Sequence, residues 1–244
     1  MRLLFIAALA VSFCLLYSDV GADTIVANAT ADTTIYQDNT GNSNGSGDFI
    51  FAGNNGGNSP RRSLIEFDLS AIPTGATITN VTFTAFMSQG TPANLNVSLH
   101  RVTADWGEST SDAPGGEGGG TAAVAGDATW TDNFFGSSNW TNNGGDFVAS
   151  ASATTVVGDV GSYSWSSAGL VSDVEDWLDG TNANFGWILI GDESGATTAK
   201  RFNSRTNSTS PLSLTVEFTS VPEPASGLLL ATFMFGYGAT RRKR

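Results

Sequence analysis

Cysteine, histidine and positive charge are all scarce in this 244-residue chain. There is one Cys, Cys14, and one His, His100. A disulfide framework needs paired thiols and a Cys/His zinc site needs several ligands, so neither is built here. A Ser-His-Asp site is open only through His100. Charged residues make up 14% of the chain, with Lys+Arg 11 against Asp+Glu 23 and a formal net charge of -12. Such an acidic chain repels phosphates and does not wrap nucleic acid. What is plentiful is Gly, at 29 residues, with many Asn, Ser and Thr beside it.

The two ends read as addresses. Met1-Arg2 is followed by an apolar stretch from Leu3 to about Tyr17, then by Val20-Gly21-Ala22. A positive start, a short apolar core and small residues predict a secretory signal peptide over 1–22, cut after Ala22. Cys14 follows Phe13, where a lipoprotein anchor requires a small residue. At the other end Val221 leads into Pro222-Glu223-Pro224, an uncharged apolar stretch over 225–240, and Arg241-Arg242-Lys243-Arg244. As a helix that stretch reaches roughly 24 Å, a little short of a bilayer core. The basic end stays cytoplasmic, so the body faces outward. An ordinary tail anchor is the alternative. The order of triplet, apolar helix and basic end resembles the PEP-CTERM sorting signal. That resemblance implies export across an inner membrane, transient residence there through 225–240, and cleavage by an exosortase near the triplet.

Residues 23–220 then form the mature domain. Its six cations are Arg61, Arg62, Arg101, Lys200, Arg201 and Arg205, set against 21 acids, since Asp19 and Glu223 lie outside, for a balance of -15. A domain of this size buries enough surface to need no staple. Period-2 alternation predicts half-buried antiparallel strands. Ile65, Phe67 and Leu69 alternate with acids. Val81, Phe83, Ala85 and Met87 form a second such set, Leu95, Val97 and Leu99 a third, and Leu212, Leu214, Val216 and Phe218 a fourth. Phe185 to Ile190 is apolar on both faces and reads as a central strand. One helical face is visible, at Leu170, Val174, Trp177 and Leu178. The expected fold is all-β: a two-sheet antiparallel β-sandwich, jelly-roll-like, with one short capping helix. Asp38–Asp48, Gly53–Ser59 and Ala113–Gly120 read as long or flexible loops.

Candidate binding groups follow from residue type. A sugar stacks its C–H face on an exposed ring, and amides and carboxylates bond its hydroxyls. Trp177 and Trp187 fit the core, and Trp106 pins a strand end. Trp130, Trp140 and Trp165 lie in polar surroundings. Trp130 and Trp140, with Phe134 between them, bracket a loop rich in Asn, Asp and Thr and form the expected sugar platform. The competing reading is a loop that folds its own aromatics inward. Arg201 and Arg205 are candidates for a sugar carboxylate, against internal ion pairs. Calcium takes oxygen ligands, and Asp38, Asn42, Asn44 and Asp48 in a Gly-rich loop supply them. Asp192-Glu193 is a second candidate, and a solvated loop is the alternative for both. Calcium is the one cofactor suggested. His100 sits on the polar side of its strand, and a surface or pairing role outweighs catalysis.

Several phrases resemble one family. They are Ser63-Leu64-Ile65-Glu66-Phe67-Asp68-Leu69-Ser70, His100-Arg101-Val102-Thr103 with Asp105-Trp106-Gly107-Glu108, Gly126-Asp127-Ala128-Thr129-Trp130, Trp187-Ile188-Leu189-Ile190, and Lys200-Arg201-Phe202-Asn203-Ser204-Arg205. Over about 24–219 the chain resembles the DNRLRE domain, similar to the disaggregatase-related carbohydrate-binding modules. Asn203 and Thr206 stand where those relatives carry acids. The resemblance implies a β-sandwich in a secreted, polysaccharide-associated protein of the cell surface or extracellular matrix. The leading expectation is a non-catalytic polysaccharide binder. A structural matrix spacer without ligand and a carbohydrate-active enzyme are the alternatives.

Overall fold

The computed structural model describes residues 21–220. Most of the stretch expected to be a signal peptide, and all of the expected sorting segment with Pro222, Glu223 and Pro224, lie outside them. Among the described residues no helix is long and apolar enough to cross a membrane. The strands are β1 (Ala22–Tyr36), β2 (Asn42–Ser43), β3 (Phe49–Asn54), β4 (Pro60–Phe67), β5 (Thr77–Gly90), β6 (Leu95–Arg101) and β7 (Thr121–Ala122). They continue with β8 (Asp132–Phe134), β9 (Ser138–Asn139), β10 (Ala153–Val157) and β11 (Gly161–Ser166). After α1 (Ala168–Leu178) come β12 (Trp187–Ile190), β13 (Lys200–Asn203) and β14 (Ser213–Thr219).

These elements make the expected two-sheet antiparallel sandwich with a short helix. The first sheet is built on β5, which pairs β14 and β13 along one edge and β11 along the other. The second runs β1, β4, β12, β6, β10. Two strands serve both sheets. The first half of β1 pairs β14, and beyond a bulge at Ala29–Ala31 its second half pairs β4. β3 pairs β13 and then, from Gly53, β4. Gly53 makes that transfer at φ 107, and a Cβ there would stand 2.9 Å from the Thr198 carbonyl oxygen. Only Gly takes this turn without strain. The first residue of β1 lies opposite the last of β14, Ala22 against Thr219, and Ser220 Oγ donates to Asp23 Oδ2 at 2.6 Å.

The alternation read from sequence sets the core. Val81, Phe83, Ala85 and Met87 of β5 and Leu214, Val216 and Phe218 of β14 point between the sheets, against Ile65, Phe67, Val97, Leu99 and Trp187. Phe67, Phe83, Trp165, Trp187 and Phe202 form a chain of tilted and edge-on ring contacts, with centroids 5.3 to 6.3 Å apart. Trp165 belongs to this core and not to polar surroundings. On β11 it alternates with Ser164 and Ser166, and its indole N–H donates to Val97 O at 2.8 Å. α1 closes the sandwich through Leu170, Val174 and Trp177, with Ser167 Oγ accepting from the N–H groups of Gly169 and Leu170. Trp177 stands 4.5 Å from Trp187.

Lys200 is fully buried on β13, and its Nζ donates to the carbonyls of Thr91, Ala93 and Gly158 at 2.5, 2.8 and 2.9 Å. It ties the β5–β6 and β10–β11 connections together. Lys200→Met is expected to lower stability by about 2–3 kcal/mol, because three carbonyls lose a charged donor. A denaturant midpoint equal to the parent's would show that water serves those carbonyls as well.

Candidate functional site

The second sheet has an inner face in the core and an outer face that is treated in two ways. Ile35, Leu64 and Ile188 point outward from β1, β4 and β12. The long segment between β6 and β10 folds over them and brings Val102, Trp106, Ala128, Trp130 and Trp140 into a second apolar cluster. Trp106 Nε1 donates to Phe185 O and Trp140 Nε1 to Thr129 O, both at 2.9 Å. Burying the rings here removes apolar area from water on both the roof and the sheet beneath.

Trp130 and Trp140 therefore turn toward the sheet, with 6% and 5% of their surface exposed. The platform expected from sequence is not presented to solvent, and the inward-folding alternative describes this loop. Phe134, on β8, is half-buried with its ring against Gly107, where a Cβ would come within 2.7 Å of it. All six Trp are buried. The sequence Gly41-Asn42-Ser43-Asn44-Gly45 spells a nucleophile-elbow pattern, but Ser43 is fully buried and bonded to Thr33 Oγ1 at 2.9 Å. It has no access to a substrate.

The two candidate arginines part company. Arg205 is taken by Glu108, with Nη2 2.5 Å from Oε2. Arg201 lies over the Phe49 ring, 3.7 Å from its centroid, and its Nε donates to Ser88 Oγ at 3.1 Å. The four calcium candidates do not converge on one point: three of their side chains have other partners, and Asp48 is held through its backbone. Asp38 pairs Arg61 at 3.2 Å, and Asn42 Nδ2 donates to Gly119 O at 2.9 Å. Asn44 is buried and bonds Glu117 Oε2 at 2.8 Å, while the Asp48 backbone N–H donates to Glu117 Oε1 at 3.1 Å. Among the described residues no three His, Cys, Asp or Glu side chains gather as a metal-holding group.

Where the roof ends, the outer face opens into a groove of about 820 Å³. Its floor is the outward half of β6, Asn96, Ser98 and His100, with Thr154 of β10 beside Ser98 in register. Asp192, Glu193 and Ser194 from the loop after β12 form one wall. That wall is fixed by Arg62. The guanidinium donates to both Glu193 oxygens, at 2.7 and 2.8 Å, and to Gly144 O at 2.9 Å. It is held between Trp130 and Phe147, 4.9 and 5.5 Å from their centroids. Such a stacked, bidentate Arg is a rigid strut between roof and groove wall. The hydroxyl and backbone N–H of Ser194 hold the Asp192 carboxyl below the usual carboxylate range.

His100 is fixed from two sides. Nδ1 lies 3.0 Å from the Val148 carbonyl, which only accepts, so Nδ1 carries the proton. In the neutral ring Nε2 then accepts from Ser98 Oγ at 2.9 Å. The Phe147 ring meets His100 edge-on at 5.5 Å. The groove thus offers amide, hydroxyl, imidazole and carboxylate groups on a stiff floor, in the manner of a site that bonds hydroxyls one by one.

The fold and this groove define a β-sandwich with a polar cleft on one outer sheet face. A family model described as carbohydrate-binding module family 96 matches residues 23–112. That span carries β1 to β6 and so includes the floor residues Asn96, Ser98 and His100, and this part of the chain is similar to a carbohydrate-binding module. The wall at 191–194 and the residues Trp130, Trp140, Arg201 and Arg205 lie beyond it. No curated protein matches the chain.

Proposed function

We propose that this chain is an exported, non-catalytic protein of the cell envelope or extracellular matrix whose sandwich binds polysaccharide in the groove over β6. The observation that carries this reading is the polar groove itself, set on a sandwich whose first half is similar to a carbohydrate-binding module. The signal peptide, the Pro222-Glu223-Pro224 triplet and the apolar and basic stretches after it support export, transient residence in an inner membrane and sorting by an exosortase. Partner and place follow from that reading: extracellular polysaccharide, at the cell surface or in the matrix.

The groove's carboxylates argue for binding without hydrolysis. Glycoside cleavage needs a pair of carboxyl groups flanking the bond, one of them kept protonated as the acid. Asp192 is held in the ionised form and Glu193 has both oxygens on Arg62. Neither is a proton donor in this arrangement.

The test is retention of the purified protein on a panel of soluble and insoluble polysaccharides, with calcium and with chelator. Selective retention is expected, with no release of reducing ends. Asn96→Ala with His100→Ala is expected to weaken it about tenfold or more while the unfolding midpoint stays within a few degrees, since two polar contacts are lost. A folded parent that no polysaccharide retains would leave the matrix-spacer reading in its place.

A further inference from the structure

The sandwich has two sides, and they are finished differently. On one side β10 ends the second sheet and β11 ends the first, and the two close against each other. Thr155 Oγ1 donates to Ser164 O at 2.7 Å, and the Gly158 N–H donates to Tyr163 Oη at 3.0 Å. On the other side the first half of β1 ends the first sheet. Among the described residues Ala22–Asn28 pair with β14 alone, so the opposite edge of this half-strand is open. The bulge at Ala29–Ala31 then carries the chain over to β4.

Proteins guard open edges with Lys, Pro or inward-pointing charge. This edge has no such guard. From Thr24 to Ala31 no residue is charged, in a domain with a balance of -15. Thr24, Val26 and Asn28 are exposed on the outer face, Val26 with 66% of its surface in water. Ile25 and Ala27 are half-buried and pack at the margin of the core.

We infer that this edge pairs with the same edge of a second copy of the chain, antiparallel about a two-fold axis at Val26. The edge runs from Asp23 to Ala29, where the bulge stops it, and Val26 is its midpoint. In that register Val26 meets its twin on the outer face and Thr24 meets Asn28. On the inner face Ile25 meets Ala27. Apolar falls on apolar and hydroxyl on amide, which are the cross-strand pairs that stabilise a sheet. Asp23 meets Ala29, so no two acids face each other. A two-fold contact uses the same patch on both partners and satisfies both open edges at once. Like charge keeps two copies of so acidic a chain apart elsewhere, and this stretch is free of it. The inference does not depend on what the groove binds.

The experiment follows the exported protein by analytical ultracentrifugation across a range of concentrations. A dimer is expected with a Kd on the order of tens of micromolar, since one strand pair buries less than a standard interface. Val26→Lys sets two ammonium groups side by side at the axis. It is expected to weaken the dimer about tenfold or more and to leave the unfolding midpoint in place, because the side chain is exposed in the single copy. Cysteine placement reads the register, since Cys14 is the only thiol in the chain and lies ahead of the expected cleavage point. Val26→Cys brings two Cα atoms to about 4.5–5.5 Å, within disulfide reach, and should cross-link under mild oxidation. Thr24→Cys and Asn28→Cys each stand about 13 Å from their own twins and should cross-link only when mixed. A parent that stays monomeric at millimolar concentration overturns the proposal. A dimer that Val26→Lys leaves intact also overturns it and puts the contact elsewhere. Thr24→Cys cross-linking alone as fast as Val26→Cys overturns the axis at Val26.

Discussion

Glu117→Ala is expected to lose about 3–5 kcal/mol of folding stability and to expose the Gly-rich loop around it to protease. Glu117 is buried at φ 60, between Gly116 and Gly118. Its carboxylate accepts from Asn44 Nδ2 at 2.8 Å, from the Asp48 N–H at 3.1 Å and from the Phe49 N–H at 2.9 Å. Removing it leaves three donors without their acceptor, the one on Asn44 in a buried position, and each such loss costs on the order of 1–3 kcal/mol. The backbone around it is tied as well. Tyr36 Oη donates to Glu117 O at 3.1 Å, and Arg61 Nε donates to Gly118 O at 2.6 Å. Those contacts persist in the variant, so the loss is chargeable to the carboxylate. Denaturant unfolding and timed proteolysis of the loop read it out. A shift under 1 kcal/mol with an intact loop would mean that water replaces the carboxylate without difficulty.

The second large effect is a dependence of stability on pH. Burial pushes the Asp32 carboxyl up to about 7, opposed by the Arg205 backbone N–H donating to Oδ2 at 2.7 Å. Glu108 adds negative charge beside it and Arg205 positive charge. Oδ1 is buried with no hydrogen-bond partner. The folded chain therefore holds a proton at Asp32 that the unfolded chain has released above about pH 4. Where the native state binds more protons, stability falls as pH rises. Folding stability is expected to decline by about 4 kcal/mol from pH 4 to pH 7 and then to level off. Burial raises Glu108 too, despite its bonds to Arg205 and Asp32, and acts in the same direction. Asp32→Asn, neutral at every pH, should flatten most of this slope. Midpoints at pH 5 and pH 8 decide it. A parent as stable at pH 8 as at pH 5 would show that Asp32 ionises in place at little cost.

Strands β4, β5, β6 and β14 were legible because each carries its own alternation, whereas β1, β10, β11 and β13 carry too weak a pattern and were not read. Val81 to Met87 and Leu212 to Phe218 reveal their inner faces without knowledge of their partners. The roof was not legible. Trp130 and Trp140 sit among Asn, Gly and Thr, and what buries them is the outer face of β4 and β12, far away in sequence. A trace of it was present in Phe185–Ile190, apolar on both faces, which a sheet with one wet face does not require. The Gly-rich run Ala113–Gly120 read as long or flexible because the contacts that order it come from residues far away in sequence, among them Tyr36, Asn44, Asp48 and Arg61. Arg205, a candidate for a sugar carboxylate with an internal ion pair as the alternative, is engaged in that internal pair, with Glu108. The groove's floor and wall were each visible as polar residues, His100 among Asn96 and Ser98, and Asp192 beside Glu193. Their meeting depends on the register of β12 against β6, Ile190 opposite Ser98, which spacing does not disclose.

The corner where Ala22 meets Thr219 has a mechanical meaning. A tension drawn between the two ends of the sandwich peels β1 from β14 one rung at a time, starting at the Asp23–Ser220 contact. A tension drawn between Ser220 and a glycan seated on His100 runs along β14 instead, and loads its whole ladder with β5 in shear. Rungs in shear share the load, and rungs being peeled carry it in turn. Should the groove hold polymer as proposed, with the chain held at its C-terminal end, the sandwich would be strained in its strong direction.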